Sequence, residues 1–272
     1  MADNLLTVDW VAEHGADENV RLVEVDVDID AYGEGHIEGA VGWNWTTQLQ
    51  DQTRRDIQTK QGLEELMSVS GNAPDTHVVL YGDNNNWFAA YALWLLELYG
   101  HENVSLMDGG RVKWLAESRP TTQAEPVVAA TSYGAKDADL SLRAKRDDVL
   151  QAVGGGTQLV DVRSPAEFSG EVIAPPGMSE TAQRGGHIPG AKNIPWARAV
   201  NEDGTFRSLD ELTELYGSAG LAEGSTIAYC RIGERSSHTW FVLKHLLGYG
   251  DVKNYDGSWT EYGSLIEVPI EK

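Results

Sequence analysis

Apolar and polar positions mark the same kinds of element in both halves of the chain. Arg21-Leu22-Val23-Glu24-Val25-Asp26 alternates, is rich in β-branched residues, and predicts a strand. Val78-Val79-Leu80-Tyr81-Gly82 is a short apolar run of the kind buried on both faces of a sheet. Asn86 to Leu98 carries Tyr91, Leu95 and Leu98 at helical spacing, with Asn86 as cap and Gly100 as stop. Further on, Leu159-Val160-Asp161-Val162-Arg163 predicts a strand and Thr226-Ile227-Ala228-Tyr229 a buried one. Ser236 to Leu247 predicts a helix through Trp240, Leu243 and Leu247, stopped by Gly248.

These elements occur in matched pairs. The phrase Gly-His-Ile-x-Gly-Ala stands at Gly35–Ala40 and again at Gly186–Ala191, 151 positions later. Val78–Gly82 echoes Thr226–Cys230, and the helix after each echoes its counterpart. Asp108-Gly109-Gly110, followed by Trp114, echoes Asp256-Gly257-Ser258-Trp259. Matched features in one order at nearly one offset predict a duplicated domain. Alternating strands and helices predict an α/β fold, each copy a parallel sheet flanked by helices. Active sites in such sheets lie at the carboxyl ends of the strands. The expected division is a first domain over 1–118, a connection over 119–140 containing Pro120 and Pro126, and a second domain over 141–272.

Composition narrows the function. Of 272 residues, 21 are Lys or Arg and 42 Asp or Glu, a formal charge of −21. Such a surface repels nucleic acid and anionic membranes, and suits either a salt-rich cytoplasm or plain acidity. No apolar run is long enough for a bilayer, and Met1-Ala2-Asp3-Asn4 is acidic, so neither signal peptide nor anchor is expected. The single cysteine excludes an internal disulfide and fits a reducing, cytoplasmic location. His, Asp and Glu do not cluster at ligand spacing, so no metal and no cofactor are expected.

That cysteine is Cys230, at the end of a predicted buried strand and ahead of a helix. The loop Cys230-Arg231-Ile232-Gly233-Glu234-Arg235 puts two arginines beside it. Loop amides, a helix N-terminus and two guanidinium groups predict a lowered thiol pKa and a reactive thiolate. The bland alternative is a small buried hydrophobe. The matched loop of the first copy, Gly82-Asp83-Asn84-Asn85-Asn86, has neither nucleophile nor cation, so the first copy is expected to be non-catalytic.

Two copies, Gly-His-Ile-Pro-Gly-Ala in the second, and a Cys-Arg-x-Gly-x-Arg loop resemble a two-domain rhodanese over essentially the whole chain. Asn84–Tyr91, Cys230–Trp240 and Asn254–Trp259 are similar to the thiosulfate sulfurtransferases of bacteria and archaea. The resemblance implies a ping-pong reaction. A Cys230 thiolate takes the outer sulfur of thiosulfate, sulfite leaves, and the persulfide passes its sulfur to cyanide or a thiol acceptor. A thioredoxin-like or other sulfur-accepting protein is an implied partner. By position Arg235 is the implied thiosulfate-binding cation. Arg231 either serves the same anion or braces the loop, and Arg163 is either a minor cation or a solvated one. The sequence departs from some vertebrate members, which carry Lys where Ile232 stands and Arg near where Glu167 stands; Arg235 is then expected to carry more of the binding.

Three rivals remain at this stage. Mercaptopyruvate sulfurtransferases share the fold but have an uncharged loop. Dual-specificity phosphatases place Arg one position later than Arg235. A non-catalytic sulfur carrier or interaction module needs no charged cysteine loop. Among other residues, His36 and His187 are expected to bond their turns. Asp161 is expected to brace the loops or cap, and Arg184 to reach the pocket rim. Arg54-Arg55 face an interface or water, and Trp196, Trp240 and Trp259 belong to the core.

Overall fold

The computed structural model describes residues 4–27, 30–175 and 182–272. The chain forms two units, Met1–Asp139 with Glu202–Phe206, and Leu140–Asn201 with Arg207–Lys272.

In the first unit the strands are β1 (Leu5–Leu6), β2 (Val20–Asp26), β3 (Val41–Asn44), β4 (Gln50–Asp51), β5 (Asp56–Ile57), β6 (His77–Tyr81) and β7 (Val104–Met107). The helices between them are α1 (Val8–His14), α2 (Asp30–Glu34), α3 (Trp45–Gln48), α4 (Lys60–Val69), α5 (Trp87–Leu98) and α6 (Gly110–Ala116). The main sheet has the order β1-β7-β6-β2-β3 and all its pairings are parallel, while β4 and β5 form a separate antiparallel pair. Val78, Val79 and Leu80 of β6 are fully buried, as expected of a strand covered on both faces.

The second unit has β8 (Gln158–Asp161), β9 (Lys192–Asn193), β10 (Thr226–Tyr229) and β11 (Val252–Tyr255), in the parallel order β11-β10-β8-β9. Its helices are α7 (Arg146–Ala152), α8 (Pro165–Ser169), α9 (Leu209–Ser218), α10 (Glu234–Phe241) and α11 (Ser258–Tyr262). Tyr229, Tyr255, Trp259 and Tyr262 pack with Ile188 and Ile227 in its core. Each unit is therefore an α/β layer structure with a parallel sheet, as the duplicated pattern predicts.

Two helix expectations need correction. The helix after Cys230 starts earlier, at Glu234, because Gly233 turns the chain at φ 107°. It then widens into a π-helix over Val242–Leu246, with Leu247 N bonded to Val242 O, and ends at Gly248 with φ 73°. Asn86 does not cap α5: it lies at φ 62°, the last of three left-handed asparagines, and its side chain makes no cap bond.

The stretch expected as a connection, 119–140, packs back on the first unit almost throughout. His36 and Thr122 exchange backbone bonds of 2.9 and 2.8 Å, and Thr131, Lys136 and Asp139 donate to Ser68, Tyr99 and Leu98 carbonyls. The second unit repeats the first of these contacts, with His187 and Glu271 exchanging bonds of 2.8 and 3.0 Å. The duplicated unit thus runs past its last helix into a strap that pairs with the Gly-His-Ile turn. Among the described residues no helix is long and apolar enough to cross a membrane.

Candidate active site

Cys230 follows Tyr229, whose register partners Asp161 and Tyr255 also end their strands. The main chain is tied down on both sides of the cysteine. Tyr229 Oη accepts from Ile188 N at 3.2 Å. Cys230 N donates to Ser258 Oγ at 3.0 Å, and Cys230 O and Arg231 O accept from Trp259 N and Thr260 N. Ser258 itself sits at φ 50°, a left-handed position that aims its hydroxyl at Cys230 N.

The loop then curls around the sulfur. Gly233 N donates to Sγ at 3.1 Å. A Cβ at Gly233 would lie 2.9 Å from Asp256 Cα, so space as well as φ demands glycine there. Glu234 Oε2 stands 3.3 Å from Sγ, and the hydroxyls of Ser236 and Ser258 at 3.6 and 3.9 Å. Cys230 is fully buried, but its neighbours are polar, so the reading as an inert apolar filler does not describe it.

The expected lowering of the thiol pKa is not found; it is raised. Burial strips the thiolate of water, and the Glu234 carboxylate repels it. Arg235, Gly233 N and Ser236 pull the other way without overcoming these two. Sequence reasoning counted the loop arginines and overlooked the acids that face them.

Arg235 shows how. Its Nη1 and Nη2 each make a 3.0 Å bond to the Glu167 carboxylate, and its Nε lies 3.5 Å from Glu234 Oε1. Glu167 is fixed in turn by Ser164 N and Oγ at 3.0 and 2.9 Å, in the capping box that opens α8. Burial opposes both charges, yet the paired bonds hold the Glu167 carboxyl below its usual range and the Arg235 guanidinium above its own. With a neutral thiol, Glu234, Arg235 and Glu167 together carry one net negative charge. Glu167, which in sequence looked only like a missing arginine, is the main partner of the cation carried over from the resemblance.

The remaining candidates divide between this loop, the rest of the second unit and the first unit. Arg231 is 4% exposed, and its carbonyl accepts from Thr260 N. Arg163 is not solvated. It is fully buried, with Nη2 bonded to Asp161 Oδ2 at 2.6 Å and to Gly186 O at 2.8 Å, and its guanidinium carbon stands 4.6 Å from the Trp259 ring centre. Asp161 and Arg163 are thus a brace between β8 and the Gly-His-Ile turn, which corrects the reading of Arg163 as solvated. Arg143 grips Asp256 with two 2.8 Å bonds beside Gly233, a pair the sequence did not suggest. His187 bonds Phe168 O and stacks on that ring; His36 bonds Tyr32 O and stacks likewise. Arg184 holds the carbonyls of Gly263, Leu265 and Val268. Arg54 pairs with Asp56 at the surface. Trp240 and Trp259 are buried and Trp196 half-buried. Among the described residues no group of three or more acidic, His or Cys side chains could hold a metal.

The Rhodanese-like domain family matches the chain twice, over residues 7–117 and 145–265. A protein of Haloferax volcanii named "Putative thiosulfate sulfurtransferase" is 58% identical, covering 99% of this chain and 96% of its own length. The sulfur carrier protein TtuD of Thermus thermophilus is 52% identical over 98% of this chain and 96% of its own. Among solved structures, SseA of Escherichia coli, a 3-mercaptopyruvate sulfurtransferase, superposes with a TM-score of 0.82 at 27% identity, covering 94% of this chain and 98% of that one. Twice matched by the family and similar to these relatives along nearly its whole length, the chain belongs to the rhodanese family, as a tandem pair of rhodanese domains.

Proposed function

We propose that the protein is a thiosulfate sulfurtransferase that carries sulfane sulfur as a Cys230 persulfide. The observation that carries this reading is the setting of Sγ: centred in a glycine-turned loop, bonded by Gly233 N, with two serine hydroxyls in reach. The Gly233 N–H favours negative charge on this sulfur, as an oxyanion-hole donor does. In the first half-reaction the thiolate attacks the outer sulfur of thiosulfate and the sulfur–sulfur bond pair departs with sulfite. In the second, cyanide or a thiol removes the bound sulfur and restores Cys230. A sulfur-accepting protein is a natural acceptor, in line with the sulfur-carrier name of the Thermus relative. A cytoplasmic, reducing location suits a free thiol.

Arg231 and Arg235 supply positive charge toward the donor. The Glu167 clamp lowers the net charge that Arg235 presents, and this favours a second reading in which the donor is the singly charged 3-mercaptopyruvate. Steady-state transfer from each donor to cyanide tests the reading. A larger kcat/KM for thiosulfate, abolished in Cys230→Ser, is expected. A larger value for mercaptopyruvate moves the choice to the second donor, and activity persisting in Cys230→Ser removes Cys230 from the chemistry.

A further inference from the structure

The sulfur of Cys230 has a carboxylate as its neighbour where a base would stand. Glu234 Oε2 lies 3.3 Å from Sγ, within reach of an S–H donor, and Glu234 is 2% exposed. A second observation sets its role. Glu167 takes both terminal nitrogens of Arg235 at 3.0 Å, and Glu234 meets the same guanidinium through its other oxygen, 3.5 Å from Nε. Glu167 thus takes the two-pronged end of the cation, and Glu234 Oε2 faces the thiol.

Resting on the sulfurtransferase reading, we propose that Glu234 is the proton acceptor of the first half-reaction. As the Sγ electron pair attacks the outer sulfur of thiosulfate, the thiol proton moves to Glu234 Oε2 and the sulfur–sulfur pair leaves with sulfite. Thiol, thiosulfate dianion and carboxylate become persulfide anion, sulfite dianion and carboxylic acid, so atoms and charge balance. The summed charge of Cys230, Glu234, Arg235 and Glu167 stays at one negative throughout. Sending the proton to bulk water instead would add one negative charge to a buried site, a costly change at low dielectric. Burial alone already disfavours the thiolate here, so a local acceptor is what lets the sulfur react. Among the other charged groups around the loop, Arg235 pairs with Glu167, and Arg143 with Asp256 at the end of β11. Arg231 adds a cation on the loop itself.

The proposal separates from a purely electrostatic role by the direction of one effect. Glu234→Gln keeps an oxygen that can accept the S–H bond but cannot take the proton. If Glu234 is the acceptor, sulfite release in a single turnover with thiosulfate should fall by about 100-fold. Glu234→Asp should recover part of that rate, and the pH dependence of release should lose its rising limb in Glu234→Gln. If Glu234 only repels the thiolate, Glu234→Gln should release sulfite as fast as wild type or faster, and react faster with iodoacetamide at neutral pH; that result overturns the proposal. Should Glu234→Gln fail to fold, infrared difference spectra of the wild type before and after thiosulfate keep the test open. A protonated carboxyl band should appear on sulfur uptake, displaced in Glu234→Asp; its absence in a protein that has taken up sulfur overturns the proposal. A wild type that takes up no sulfur from either donor instead refutes the sulfurtransferase reading.

Discussion

The two units carry the same loop frame around different contents. In the second, Cys230 O accepts from Trp259 N, and Tyr229 Oη accepts from Ile188 N. In the first, Gly82 O accepts from Arg111 N, and Tyr81 Oη accepts from Ile37 N. What fills the frame differs. Cys230 N is capped by Ser258, whereas the matching position in the first unit is Gly110, and Gly82 N is capped by Asn86 Oδ1 at 3.0 Å. Asn86 also donates to Met107 O at 2.8 Å, so its amide sits in its own loop. Around it are acids: Asp26 and Asp83 are each pushed up to about 7, chiefly by burial, then Asp26 by Glu24 and Asp83 by Asp26. The frame therefore belongs to the fold, and the chemistry to a few positions within it.

The largest break in this comparison should come from Glu167→Ala. It removes the two 3.0 Å bonds that hold Arg235 in a buried site and is expected to lower the stability of the second unit by about 3–5 kcal/mol in denaturant unfolding. No change would mean that the clamp is not part of what holds the loop.

Putting a cysteine into the first frame sharpens the comparison from the other side. In Gly82→Cys a Cβ would sit 2.3 Å from Val25 O and 3.0 Å from Asp26 Oδ1. We expect a loss of about 1–3 kcal/mol and, on a Cys230→Ser background, no sulfur uptake. Uptake there would show that the frame alone suffices.

The smallest effect concerns the acid pair. An aspartate with an ordinary value of 3.8 loses its proton on unfolding across a window where Asp26 and Asp83 keep theirs up to about 7. The folded unit binds the extra proton there, so its stability should fall as pH rises through that window and level off above it. Asp83→Asn should flatten this slope and stabilise the first unit by on the order of 1 kcal/mol above neutral pH, read from thermal melts. A slope unchanged in the variant would contradict the raised value of Asp83.

Much of the fold was legible because it rests on local pattern. β-branched runs gave β2, β8 and β10, and the doubled Gly-His-Ile phrase gave the duplication. The strap after α6 was not legible: Pro- and Thr-rich composition resembles a linker, and its backbone pairing with His36 depends on contacts far along the chain. At the site, Cys230 and its arginines stand in one short stretch and can be read directly. Glu167 lies 68 positions from Arg235, and its pairing exists only once β8 and β10 are neighbours. The sign of the thiol shift followed the same rule: cations are visible in the loop, whereas burial and the facing of Glu234 emerge on folding. One signal was available, since Ser164-x-x-Glu167 has capping-box spacing and fixes where that carboxylate begins.

The most direct measurement is the intact mass of the protein after mixing with thiosulfate and removing excess donor. The account predicts one added sulfur atom on the wild type, released by cyanide, and none on Cys230→Ser. An unchanged wild-type mass with either sulfur donor, or an adduct that survives in Cys230→Ser, would contradict it.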